Sequence, residues 1–146
     1  MADLLVFVDE SDGVYGLIAI GESLSGRLSS EISWVKYPRR LGRKKKRGYF
    51  RAFKRRFRKV RKLLAYARVF YEIERLEKFL AQIMPRIKTL YIDDRLYSRL
   101  RSRSFEFPQV EVVLESKAGK TRLILLTDSL ANYARRKPRD VKELEK

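Results

Sequence analysis

The sequence has 146 residues, and its 35 Lys and Arg against 18 Asp and Glu give a formal net charge of +17. It has no cysteine and no histidine, which excludes disulfides, zinc–thiolate sites, Ser-His-Asp and Cys-His catalysis and imidazole ligands. Any catalytic metal must therefore be held by oxygen ligands, which favours a hard cation such as Mg²⁺ or Mn²⁺. The length predicts a single domain, residues 1–146, with its own core.

The positive charge is concentrated in one stretch. No acidic residue lies between Glu31 and Glu72, and 17 of the Lys and Arg lie between Lys36 and Arg68. A nucleic acid or a membrane surface would attract such a segment. No apolar run approaches membrane-spanning length and the amino-terminal residues do not resemble a signal peptide, so we expect a cytoplasmic protein with no membrane span.

The first part of the sequence predicts three strands joined by short links. Residues 3–9 (DLLVFVD) are apolar on both alternating faces, as in a central strand covered on both sides. Asp12-Gly13 predicts a tight turn into a second strand over residues 14–21. Residues 27–38 (RLSSEISWVKYP) are predicted to form the third strand. The three strands would form an antiparallel meander.

The apolar pattern changes to that of a helix from Tyr49 onward. Apolar residues recur every three or four positions, and the pattern continues on a slightly shifted face as far as Pro85. We expect one long helix, or two joined by a kink near residue 70, preceded by a mobile basic loop over residues 39–48. The aromatic stripe is predicted to be core packing. The first helical face consists of Phe50, Phe53, Phe57, Val60, Leu64, Ala67 and Tyr71.

The last part of the sequence predicts two more strands and a helix. Residues 87–94 (IKTLYIDD) and 109–116 (QVEVVLES) are the strands, and residues 122–137 have helical spacing. A helical crossover from the third strand favours a fourth strand that lies parallel beside the first. The predicted fold is therefore α/β, with the order βββαβ(α)βα and a mixed five-stranded sheet with helices packed on it.

The first strand ends in a group of acids, in the stretch VFVDESDG. These acids fit either a solvated turn or a cation site. Asp93 ends the fourth strand as Asp9 ends the first, and neighbouring strands lie only about 4.8 Å apart, so the two carboxylates could share a cation. Packing could bring Asp128, near the start of the last helix, to the same edge. Carboxylates that converge without histidine indicate one or two Mg²⁺ ions for phosphodiester chemistry.

Two neighbouring acids have other interpretations: Glu10 fits a catalytic role and a position outside the site equally well, and Asp94 fits a helix cap. Glu10 points to the opposite face from Asp9 if the strand is regular. Asp94 is expected to cap the segment that begins at Arg95, because aspartate is favoured at helix N-caps.

Three segments of the chain resemble an uncharacterised family within the ribonuclease H-like superfamily. In that family an Asp-Glu-Ser-Gly motif ends strand one, a hydrophobic-Ile-Asp signature ends strand four, and a Gln-Leu-Ala-Asp-Leu-like motif after Ser-Lys begins the last helix. The resemblance implies a ribonuclease H-like fold with nuclease-like or transposase-like, metal-dependent activity. It also implies that Asp9, Asp93 and Asp128 are catalytic metal ligands and that Glu10 is a supporting or alternative acid. The matching segments are FVDESDG (7–13), LYIDDR (90–95) and SK…LILLTDSLANYARR (116–136).

The resemblance covers the two ends of the chain and leaves the basic middle unmatched. Asp12 intrudes before the glycine of the first motif, and Leu126-Thr127 replaces Leu-Ala before the aspartate of the last. Neither departure removes a candidate ligand.

The basic segment, residues 39–62, is predicted to bind the phosphates of DNA or RNA, because its Lys and Arg have no acids among them. We therefore expect a nuclease that depends on Mg²⁺ or Mn²⁺. One alternative is a non-catalytic nucleic-acid-binding module on the same fold, and another is a membrane-surface or partner-binding protein. The predicted nucleic-acid contacts are Arg39, Arg40, Arg43, Lys44, Lys45, Lys46, Arg47, Arg51, Lys54, Arg55, Arg58, Lys59 and Lys62.

Overall fold

The computed structural model describes residues 2–119 and 121–146, and it has an α/β fold with one five-stranded mixed sheet. The strand order across the sheet is β3-β2-β1-β4-β5. The strands are β1 (Leu4–Ser11), β2 (Val14–Gly21), β3 (Tyr66–Phe70), β4 (Ile87–Ile92) and β5 (Glu111–Leu114). The α-helices are α1 (Ser25–Glu31), α2 (Arg43–Val60), α3 (Ile73–Ile83), α4 (Asp94–Ser102), α5 (Glu115–Ala118) and α6 (Arg122–Arg136).

Two antiparallel pairs and two parallel pairs hold the sheet together. β1 pairs antiparallel with β2, and β2 with β3, whereas β4 lies parallel to both β1 and β5. Asp12 and Gly13 form the two-residue turn between β1 and β2, with φ angles of 45° and 83°, as the type I′ turn requires. The predicted tight turn and the predicted parallel pairing of β1 with β4 are both confirmed.

Helices cover both faces of the sheet, and β1 contributes to the core on each side. Leu5 and Phe7 pack in the cluster that contains residues of α2 and α6. Leu4, Val6 and Val8 pack in the cluster that contains residues of α3 and α4. Because successive side chains of a strand point to opposite faces, the doubly apolar sequence of β1 makes it the central strand that its pattern predicted.

The prediction of a third strand over residues 27–38 is wrong. The structure forms α1 there, followed by a turn and a short 3₁₀ segment. Leu28, Ile32 and Val35 are buried in this region, and their steps of four and three match a helical period better than a strand period.

The stretch forms two helices, α2 and α3, as one of the two alternatives predicted, but the strand β3 separates them where a kink was expected. α2 ends at Val60, a 3₁₀ turn follows, and Leu64 adopts an extended backbone. Ala67 and Val69 then point inward in alternation from a strand that pairs with β2. Leu64, Ala67 and Tyr71 happen to have helical spacing, but hydrogen bonding to the edge of β2 decides the local conformation.

The predicted loop over residues 39–48 is corrected as well, since α2 begins at Arg43 and has Gly42 as its N-cap. Phe50, Phe53 and Phe57 are buried on the inner face of this helix, so the predicted core role of the aromatic stripe is confirmed. The inward aromatics fix the orientation of the helix and leave its cations outside. In the described residues no helix is long and apolar enough to cross a membrane.

α6 packs directly on β1 and β2, at the position where β2 has a glycine. A Cβ placed on Gly16 would lie 3.1 Å from the backbone N of Ala131 and from the carbonyl oxygen of Thr127. Gly16 is the partner of Asp9 in the β1–β2 register. The absence of a side chain there lets α6 bring Asp128 close to Asp9.

We expect Gly16→Ala to lower the free energy of unfolding by about 1–3 kcal/mol, because the new methyl group would push α6 away from the sheet. Urea denaturation measures this change. Gly21→Ala is the matched control, since a Cβ on Gly21 meets no heavy atom within 4 Å. Equal stabilities of the two variants would contradict the proposed close contact.

Candidate metal centre

Three acids meet at the carboxyl ends of the three strands that run parallel to one another. Asp9 lies near the end of β1, Asp93 directly follows β4, and Glu115 directly follows β5. One carboxylate oxygen from each of the three lies within 4.8 Å of the others. The ends of adjacent parallel strands are a common place for ligands in α/β sheets, and this group could hold a metal ion.

Asp9 is the most buried of the three acids, with 7% of its surface exposed. Its Oδ1 accepts a hydrogen bond from the backbone N–H of Glu10 at 2.8 Å. The solvated-turn interpretation does not fit Asp9, because its side chain lies under α6 and not in the turn at Asp12 and Gly13.

Asp93 has two functions at the end of β4. Its Oδ2 accepts a hydrogen bond from the backbone N–H of Leu96 at 3.0 Å, so Asp93 is the N-cap of α4. Its own N–H donates to the carbonyl of Val8 at 3.3 Å, which holds the ends of β4 and β1 together. The prediction that Asp94 would cap this helix is wrong by one residue: Asp94 is the first residue inside α4.

Asp94 helps to position the third acid of the cluster. Its carboxylate accepts hydrogen bonds from the backbone N–H and the hydroxyl of Ser116, at 3.0 and 2.5 Å. These bonds lower the pKa of Asp94 below its ordinary value. They also tie the residue after Glu115 to the start of α4, and so fix the end of β5 beside the end of β4.

Glu115 is the site residue that the sequence prediction missed. It follows β5, which is parallel to β4, just as Asp93 follows β4 and Asp9 ends β1. The rule used to pair Asp9 with Asp93 applies equally to the stretch QVEVVLES, so the signal was present. The predicted strand extended to Ser116, whereas β5 ends at Leu114 and so places Glu115 directly after the strand.

Asp128 lies beside Asp9 and outside the group of three. Only 6% of its surface is exposed, and its Oδ1 accepts a hydrogen bond of 3.4 Å from Asn132. Beyond the effect of burial, its carboxyl group raises the pKa of Asp9, mainly through its negative charge. The structure therefore brings the three acids predicted from sequence to one edge of the sheet, with Asp128 next to the cluster that Glu115 completes.

Burial and mutual repulsion oppose the ionisation of every carboxyl group in the cluster at once. Burial is the main cause that raises the pKa of Asp9 to about 9, and the charges of Asp128 and Glu115 raise it further. The hydrogen bond from the Glu10 N–H opposes this shift only in part. A bound cation would offset both the loss of hydration and the repulsion between the carboxylates.

Glu10 lies on the opposite face of β1, as the strand periodicity predicted. Its carboxylate pairs with the guanidinium of Arg99 at 2.9 Å, and the same guanidinium donates to the Tyr15 hydroxyl at 3.0 Å. The structure does not bring Glu10 into the acid cluster.

A basic residue of the predicted set approaches the acids. Arg39 has an elevated pKa, mainly through its interaction with Tyr37, and the charges of Asp128 and Asp9 also raise it. The chain just before Arg39 is tied to α2 and α6, because the hydroxyls of Tyr49 and Ser129 each donate to the carbonyl of Lys36 at 3.4 Å. Arg39 lies on an exposed 3₁₀ turn, where its guanidinium interacts electrostatically with Asp128 and Asp9.

The other predicted nucleic-acid contacts lie along α2 and its two ends. Most are exposed, and Lys46 and Lys54 are half-buried. Lys54 and Arg58 both pair with Glu143, which fastens the carboxy-terminal turn to α2. The sequence analysis did not predict this pairing, because Glu143 is at least 85 residues away from Lys54 and Arg58 in the chain. The outer face of α2 remains strongly cationic.

The raised pKa of Asp9 predicts a pH dependence of stability in metal-free protein. Its folded pKa of about 9 exceeds the ordinary 3.8, so the folded state favours the protonated acid and loses stability as pH rises from about 4 to about 9. The loss is at most about 1.4 kcal/mol per pH unit. Asp9→Asn should therefore gain stability relative to the parent protein as pH rises, measured by urea denaturation with EDTA.

The matched control is Glu106→Gln, which removes one negative charge from an exposed loop. The difference between this control and the parent protein should not follow the same trend. Parallel stability curves for Asp9→Asn and the parent protein between pH 5 and pH 9 would contradict this prediction. They would show that ionisation of Asp9 does not lower the free energy of unfolding.

Comparison with known proteins does not assign the chain to a family. No family model matches the sequence, and no curated protein matches it. The features that indicate a function are those of the site, namely three clustered carboxylates with Asp128 near Asp9, together with the basic helix α2.

Proposed function

We propose that the chain is a nuclease that hydrolyses nucleic acid phosphodiesters with Mg²⁺ or Mn²⁺. The observation that carries the proposal is the meeting of Asp9, Asp93 and Glu115, with their oxygens within 4.8 Å of one another, at the ends of three adjacent parallel strands. The cationic helix α2 contacts α6 next to Asp128, through the hydrogen bond between Tyr49 and Ser129, so a polyanion bound along α2 can extend toward the candidate metal site.

The proposal includes a ribonuclease H-like fold. Its support is the strand order β3-β2-β1-β4-β5, with the first three strands antiparallel and β4 and β5 parallel to β1. The final helix packs across β1 and β2 and carries an acid to the end of β1. Both features agree with the resemblance seen in the three sequence segments.

The donor set suits a hard divalent cation. The ligands are carboxylate oxygens, which Mg²⁺ and Mn²⁺ prefer, and the chain has no cysteine or histidine to favour a softer metal. Asp9, Asp93 and Glu115 would hold the ion, with Asp128 available beside Asp9. When bound, such an ion activates water and stabilises the oxygens of an in-line displacement at phosphorus.

The protein residues then have distinct tasks. Asp9 gives up its proton when the site is filled, since its pKa of about 9 applies to the metal-free cluster. Asp93 stays in place because its second oxygen caps α4. Arg39 is the candidate contact for a phosphate near the cluster. One guanidinium group can donate hydrogen bonds to two oxygens of the same phosphate.

We expect Mn²⁺-dependent cleavage of some nucleic acid, which EDTA should stop. Asp93→Asn and Glu115→Gln should each lower the rate by about 100-fold or more, because loss of one ligand misplaces the reacting groups. Asparagine is as good an N-cap as aspartate, so Asp93→Asn tests the charge and not the helix cap. Gel assays on single- and double-stranded DNA, RNA, a hybrid and a branched junction measure the rates.

Glu106→Gln is the control, since it removes a carboxylate from an exposed loop and outside the group of three acids, and it should cleave at the parental rate. If the parent protein binds nucleic acid but cleaves nothing in this panel, the alternative holds: a non-catalytic binding module on the same fold. Cleavage that survives both ligand variants would place the catalytic centre elsewhere.

A further inference from the structure

A second feature of the surface is a cleft between α2 and the end of α6. It is open to solvent and has a volume of about 610 Å³. Its described lining has no acidic residue, and its apolar floor is Phe50. Six cations line it: Arg43, Lys46, Arg47 and Arg51 from α2, and Arg136 and Lys137 from the end of α6.

The packing of α6 on α2 creates the second wall of the cleft. The rings of Tyr133 and Phe53 lie 5.2 Å apart, and the guanidinium of Arg136 lies 4.8 Å from the ring centre of Phe50. This cation–π contact holds the Arg136 side chain over the floor of the cleft, so less rotational freedom is lost when an anion binds. The sequence analysis predicted the cations of α2 as nucleic-acid contacts, but it did not predict those of α6, which form the second wall.

The charge of the cleft calls for an anionic occupant with several phosphates. Like charges on facing walls repel one another, and the first turn of α2 has cations where the helix dipole favours acids. A polyanion would relieve both effects. The floor offers no ring for a base to stack on, because Phe50 is 4% exposed and lies under Arg136. The occupant would therefore be held by its backbone phosphates and not by its bases.

The cleft lies at a defined distance from the acid cluster, because α6 contributes to both. Asp128 and Arg136 are eight residues apart in one helix, which is about 12 Å along its axis. This corresponds to about three to four base pairs of a duplex. A strand bound in the cleft can therefore reach the cluster a few nucleotides away.

We propose that the cleft between α2 and α6 binds the phosphodiester backbone of the nucleic acid, independently of base sequence, and sets the position of the strand relative to the acid cluster. This inference rests on the proposed function and adds Arg136 and Lys137 to the binding surface.

The test is the salt dependence of binding to a short DNA duplex in EDTA, where cleavage cannot interfere. The slope of log K against log salt is negative for the parent protein. Arg136→Gln combined with Lys137→Gln should make this slope less steep by about 1.8, the contribution of two phosphate contacts. Arg43→Gln combined with Arg47→Gln, from the other wall, should do the same and serves if the first variant does not fold. Scrambling the duplex sequence should change neither result.

The matched control is Arg75→Gln combined with Lys78→Gln, which removes the same charge from exposed positions of α3 on the other side of the sheet. It should leave the slope nearly unchanged. If both cleft variants behave like this control while the parent protein binds, the cleft inference is overturned and the proposed nuclease survives. If the parent protein binds anionic lipid vesicles but no nucleic acid, the inference and the nucleic-acid partner are both overturned.

Discussion

The close approach of α6 to β2 at Gly16 is the contact on which the candidate site depends. Gly16 is the partner of Asp9 across the hairpin, and α6 touches the sheet there through the backbone of Thr127 and Ala131. This contact sets Asp128 against Asp9 and buries both acids. It also fixes the direction of α6, so that the end of the helix reaches α2 and forms the far wall of the cationic cleft.

The sheet supplies the other half of the site by holding three strand ends in register. Main-chain pairing places the ends of β1, β4 and β5 side by side, and the bond from the Asp93 N–H to Val8 joins two of them. Burial raises the pKa of Asp9 most, and repulsion from the carboxylates of Asp128 and Glu115 raises it further. The folded chain tolerates that repulsion because the strands are fixed by backbone hydrogen bonds and core packing, which the acids do not supply. Such a cluster is more readily explained as a ligand site than as a source of stability.

Local patterns predicted several elements that local physics decides, although they missed α1 and the first turns of α2, and they failed where distant pairing decides. The Asp12-Gly13 turn, the doubly apolar β1 and the helical spacing of α6 each carry their own signal. The strand β3 does not, because Ala67 and Val69 become a strand only by pairing with β2. The same limit applies to the site. The meeting of Asp9 and Asp93 was predicted from the sequence. Predicting the position of Glu115 requires the exact end of β5, and predicting that of Arg136 requires the packing of α6 on α2.

The central claim is that the cluster of Asp9, Asp93 and Glu115 binds a divalent cation, and anomalous diffraction from crystals soaked in Mn²⁺ tests it most directly. The proposed site predicts at least one anomalous peak in contact with all three carboxylates, lost in crystals of Glu115→Gln. A well-ordered cluster with no peak at saturating Mn²⁺, or a peak that touches none of these carboxylates, would contradict the account.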